Sequence, residues 1–116
     1  MLEILIHKVT KRAYANAYDW MGSDVSISSE LRDGIRTVRN SFTEIDAKIT
    51  DPEIILNLMQ ERLGKVLNYY RQLPGNYGQW ECSALNIISG EIHRLIKEKY
   101  VPTDDEIFAH QADGSN

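Results

Sequence analysis

The sequence predicts an all-α protein, an up-and-down antiparallel bundle of four helices followed by a short acidic tail. Apolar residues recur at alternating spacings of three and four along most of the chain. The three prolines, Pro52, Pro74 and Pro102, fall at the edges of those stripes. The connections left between them are short, which makes successive helices antiparallel neighbours.

The first segment, roughly 2–21, carries Leu2, Leu5, Val9, Ala13, Ala17 and Trp20 in helical register. Its opening LEILI also alternates as a strand does, so the start of this segment reads either way. The second stripe is Ile27, Leu31, Ile35, Val38, Phe42, Ile45 and Ile49, and predicts a helix along its length. In the third, Asp51 caps, Pro52 takes the first helical position, and Ile55, Met59, Leu63, Val66, Tyr70 and Leu73 follow before Pro74-Gly75. The fourth aligns Trp80, Ala84, Ile88, Ile92 and Leu95, widened by Leu85 and Ile96, and ends at Tyr100-Val101-Pro102. Residues 1–102 thus form one domain. In the tail, 103–116, Thr103 and Glu106 have capping-box spacing, which predicts a single turn with Ile107 and Phe108 free to dock. Gly34 and Gly64 interrupt good helices, and close helix packing is the expected reason.

With 116 residues, 42% apolar and 26% charged, the chain belongs with small soluble globular domains. No apolar run approaches the ~18 residues of a membrane span, and MLEILIHKVTKR lacks the charge order of a secretory leader. A lone Cys82 and no Asn-x-Ser/Thr site fit a reducing compartment, so a cytoplasmic location is expected. The net charge of −4 sits wholly in the tail, where Asp104, Asp105, Glu106 and Asp113 meet no Lys or Arg. That is a solvated terminus first and a lure for a basic partner second.

Motifs for phosphate loops, zinc proteases, Cys-x-x-Cys redox sites and serine hydrolases are missing. Glu91 and His93 are two apart and point in different directions on a helix, while Glu106 and His110 supply only two ligands, so no metal or other cofactor is expected. Cys82 falls in the first turn of the fourth helix, which favours thiolate, but no base is near in sequence; a buried small side chain is the expected role. No catalytic residue is assigned.

Two surfaces stand out. Arg32, Arg36 and Arg39 recur at i, i+4 and i+7, forming a cationic ridge able to grip phosphates or carboxylates, with Glu30, Asp33 and Glu44 expected on the far side. Salt bridging to a neighbouring helix is the plainer alternative. The stretch NYYRQLPGNYGQWE holds four of the ten aromatic residues. Tyr70 and Trp80 fall on core stripes, which leaves Tyr69, Arg71 and Tyr77 as a surface of the residue types that dominate protein hot spots. The leading reading is a regulatory protein that binds a protein partner, with self-association as a further option. Binding of nucleic acid or a nucleotide phosphate through the Arg ridge is the alternative, weakened by the neutral body and acidic tail. An enzyme would rest on Cys82 and scattered carboxylates alone.

Overall fold

A computed structural model describes residues 1–21, 29–75 and 78–114; within its helices, the side chains of 17–21, 29–31, 80 and 111–114 fall outside the description. The expected core positions Ala17, Trp20, Ile27, Leu31 and Trp80 lie outside the described side chains.

The described residues form five helices and no strand: α1 (Leu2–Met21), α2 (Ser29–Phe42), α3 (Pro52–Arg71), α4 (Gln79–Lys97) and α5 (Asp104–Gly114). The LEILI ambiguity resolves as helix. Leu2, Leu5, Ile6, Val9 and Ala13 are all buried, a set that shares one face only at 3.6 residues per turn.

Helix α2 ends at Phe42, although its stripe was expected to continue as helix to Ile49. Beyond Phe42 the backbone tightens: Glu44 and Ile45 donate their N–H groups to the carbonyls of Ser41 and Phe42, three residues back. Asp46 Oδ1 then accepts the Lys48 N–H at 2.9 Å. An Asp side chain that takes a nearby N–H offers the backbone an alternative to helix. Ile45 is buried all the same, because a turn keeps it over the core.

Helix α3 starts as expected, with Asp51 Oδ1 accepting the Glu53 N–H at 3.0 Å and Pro52 in the first turn. It closes at Arg71, with Gln72 as its cap. Gly78 leads into α4 with φ of 80°, and a Cβ there would lie 3.0 Å from the Tyr70 carbonyl oxygen, so both conformation and space require glycine. At the far end of α4, Tyr100 N–H donates to Leu95 O and Lys99 N–H to Ile96 O. This is a Schellman closure whose left-handed position is a lysine, Lys99, with φ of 54°.

Helix α5 corrects the expectation of one turn. The capping box forms, with Thr103 Oγ1 accepting from the Glu106 N–H at 3.1 Å and Glu106 accepting from the Thr103 N–H at 3.4 Å, but the helix continues to Gly114. Phe108, expected to dock, is 73% exposed.

Helix α4 packs against α1, α2 and α3, while among the described residues α5 packs against α1 alone. Arg12 meets Glu98 at 3.5 Å and Asn16 meets Glu91 at 3.1 Å, so α1 and α4 run in opposite directions. The same holds for α3 and α4, whose Gln60 and Ser89 exchange hydrogen bonds while Asp51 and Leu56 lie beside Leu95 and Tyr100. The shared core contains Phe42, Leu5, Ile55, Leu56, Met59, Leu63, Leu85, Ile92 and Leu95, all fully buried. Each such side chain contributes about 1.5–3 kcal/mol relative to exposure. Gly34 marks a close approach of α2 to α4: a Cβ added there would lie 3.2 Å from that of Ala84. Gly64 has open space instead, so close packing does not explain it.

Candidate functional site

The α3–α4 connection is built by the register of α3. Tyr70 faces inward and is half-buried, so Tyr69, about 100° further round the helix, is turned outward and 63% exposed. The two rings meet edge to face, with centroids 5.3 Å apart and planes at 76°, an arrangement that restricts Tyr69 while leaving most of it in solvent. Arg71 is exposed on the last turn. Below them lies an open depression of ≈ 350 Å³ lined by Tyr70, Arg71, Gly78, Gln79, Cys82 and Asn86 among others. Tyr77, the third member of the expected surface, lies outside the described residues.

Cys82 is half-buried rather than fully buried, and its N–H donates to Gly78 O at 2.9 Å. The histidines lie elsewhere: His7 and His110 line a cleft between α1 and α5, and His93 is exposed on α4. Among the described residues, no three or more His, Cys, Asp or Glu side chains converge as a metal site. Glu106 and His110 line one cleft but pair with other residues: Glu106 binds Lys8 and Tyr100, and His110 Nε2 lies 3.3 Å from Glu3.

Arg32, Arg36 and Arg39 are all exposed along α2. Asp33 is beside the ridge instead of on its far side, within 3.9 Å of Arg36 on the same helix. Both side chains are mostly in solvent, so the pair is worth well under ~1 kcal/mol. Glu44 is the α2-side acid that crosses to another helix, and it pairs with Arg62 of α3. Gly34, between Arg32 and Arg36, packs on Glu81 and Ala84 in the first turns of α4. Those two arginines therefore belong to the end of α4 where Tyr69 and Arg71 sit. Arg39 is about 10 Å further along α2 than Arg32. It borders a second cleft with Glu3, Ile6, His7, Thr43 and His110. The five expected residues that are described thus divide between two regions.

Two features escaped the sequence reading. Glu91 is 4% exposed and accepts from Asn16 Nδ2 at 3.1 Å and from Arg94 at 3.2 Å, so its charge is met from α1 and from its own helix. The α1–α5 cleft, ≈ 440 Å³, is lined by Ile4, His7, Lys8, Lys11, Glu106, Ala109 and His110. Its signal in the sequence was the i, i+3, i+4, i+7 spacing of Ile4, His7, Lys8 and Lys11.

No helix among the described residues is long and apolar enough to cross a membrane. Compared with known protein families, with curated proteins and with solved structures, the chain matches none.

Proposed function

We propose that this chain works by binding a protein partner, as an adaptor, inhibitor or immunity-type regulator, without catalysis of its own. Tyr69 carries the reading: a large aromatic side chain 63% in solvent, braced by Tyr70 and followed by the exposed Arg71. Tyr and Arg anchor interfaces because they bring large contact area with polar tips, and the ring of Tyr loses little conformational entropy when it is held. In this reading the four longer helices form an up-and-down antiparallel bundle, a rigid frame for the patch, and the protein acts in the cytoplasm. A specific interface buries about 800 Å² per partner. The Tyr69–Arg71 patch is smaller, so Arg32 and Arg36, at the same end of α4, are drawn into the same surface. Arg39 extends it along α2, and Tyr77 is the further member expected from the sequence.

The test is affinity capture from the native cells, followed by calorimetry with the captured partner. The Tyr69→Ala, Tyr77→Ala double variant weakens binding by about 2 kcal/mol or more if the patch is an anchor. Unchanged affinity returns the cluster to a packing role. Self-association is tested on the same variants by their sedimentation.

The exposure of all three ridge arginines favours one second reading, binding of nucleic acid or a nucleotide phosphate along α2. It requires an affinity that falls steeply with added salt. Capture of a nucleic acid, lost in Arg36→Glu, would replace the protein-partner reading.

A further inference from the structure

The seam between α1 and α5 is lined mostly by polar side chains. The four longer helices close on an apolar core with polar pairs such as Arg12–Glu98 and Gln60–Ser89 between them, but here α1 presents Ile4, His7, Lys8 and Lys11, and α5 answers with Glu106, Ala109 and His110. Helix contacts close when apolar side chains interlock; this one stays open as a cleft of ≈ 440 Å³, within the range of small-molecule sites. The smaller cleft beside it, ≈ 190 Å³, shares His7 and His110 and adds Arg39 and Glu3. The two clefts together hold three permanent cations, Lys8, Lys11 and Arg39, and two carboxylates, before either histidine is counted.

The carboxylates are largely occupied. Glu106 accepts from the Tyr100 hydroxyl, from Lys8 at 3.1 Å and from the Thr103 N–H, and Glu3 faces His110 at 3.3 Å. Among the described residues Lys11 and His7 have no such partner. Both line the cleft, with Ile4 and Ala109 as its apolar walls. The geometry points to this cleft as a binding site for a small molecule that carries a multiply charged oxyanion, gripped by Lys11 and His7, with His110 and Arg39 at its edge. A compact ligand fits better than a nucleic-acid strand. The cleft is bounded by two helices, and the chain as a whole is acidic, with a net charge of −4.

Phosphate and carboxylate ligands share this chemistry. An NMR titration of the full chain with inorganic pyrophosphate, and separately with citrate, tells them apart. The expected result is saturable amide shifts at His7, Lys11, Ala109 and His110 with at least one of the two anions. In Lys11→Ala the affinity falls about tenfold, the scale of one charge-assisted hydrogen bond. Lys11 is exposed, so that variant keeps the fold, and His7→Ala supplies an independent second loss. The proposal is overturned if neither anion shifts these residues, if sodium chloride at equal ionic strength reproduces the shifts, or if Lys11→Ala binds undiminished. Shifts confined to Arg32 and Arg36 overturn it as well, and would assign anion binding to the α2 ridge.

Discussion

Tyr100 donates its hydroxyl hydrogen to Glu106, whose carboxylate also accepts from Lys8, so donors from the segment after α4 and from α1 meet on one acceptor of α5. Lys8 Nζ lies 5.2 Å from the Tyr100 ring centroid, which adds a cation–π contact to the junction. The Tyr100 hydrogen bond, helped by Lys8 and the Thr103 N–H, pulls the Glu106 pKa from its ordinary 4.5 to about 2 against the opposing effect of burial. Burial first, and Glu106 second, push the Tyr100 hydroxyl well above its ordinary 10.0.

These shifts set a pH window for α5. A carboxylate with a depressed folded pKa contributes stability that is present above its unfolded pKa and lost as pH falls through the folded one. The Glu106 contribution is therefore full above about 4.5 and fades towards about 2. The raised Tyr100 pKa acts in the opposite sense, its contribution being present below 10.0 and lost at higher pH. Urea midpoints of the native chain and Glu106→Gln should differ at neutral pH and converge near pH 2. A gap that ignores pH would show that the carboxylate charge does not hold α5.

Lys99 closes α4 in the left-handed region with φ of 54°, a conformation that costs a residue with a Cβ about 1–2 kcal/mol and glycine far less. The hydrogen bonds of the closure are backbone only, so they survive substitution. Lys99→Gly is expected to stabilise by about 0.5–1 kcal/mol, after the greater entropy of glycine in the unfolded chain is subtracted. Chemical denaturation measures it; a loss of stability would mean that the Lys99 side chain contributes more than its backbone costs.

Gly34 and Gly64 are both helical yet predict opposite signs. At Gly64 an added methyl meets nothing within 4 Å, so Gly64→Ala should gain about 0.5–1 kcal/mol from helix propensity alone. At Gly34 the methyl would press on Ala84 Cβ at 3.2 Å and lie 3.5 Å from Glu81 Cα, forcing α2 and α4 apart. Overpacking of that kind costs about 1–3 kcal/mol, which outweighs the propensity gain. Thermal melts of the two variants should shift in opposite directions, and a gain at both sites would show that the α2–α4 contact yields easily.

The same contrast marks what periodicity could and could not convey. Leu5, Val9, Phe42, Met59 and Ile92 were legible as core because a buried helical face repeats every three or four residues. Asp51 and the Thr103–Glu106 pair were legible because capping needs particular side chains at fixed offsets. The end of α2 was not, since Ile45 stays buried in a turn as it would in a helix, and the stripe runs on across the break. Ile6 and Leu56 form second buried rows that exist only because α1 and α3 each meet more than one neighbour. Glu91 and the α1–α5 cleft depend on which helices come together, and a charged residue carries no mark of its partner in the sequence. Tyr69 was legible by subtraction: once Tyr70 was assigned inward, its neighbour had to face out.

That subtraction can be tested without knowing the partner. Phe42 is 2% exposed at the close of α2, so Phe42→Ala leaves a cavity and should cost about 3–5 kcal/mol. Tyr69→Ala removes a ring that is 63% exposed and, among the described residues, pairs edge to face with Tyr70, a contact worth about 0.5–1.5 kcal/mol as an aromatic pair. Its cost should stay near or below about 1 kcal/mol, because alanine recovers helix propensity at the same position. Urea denaturation of both variants supplies the comparison. Comparable losses would mean that Tyr69 is held by the fold, and that its exposure serves stability rather than a partner.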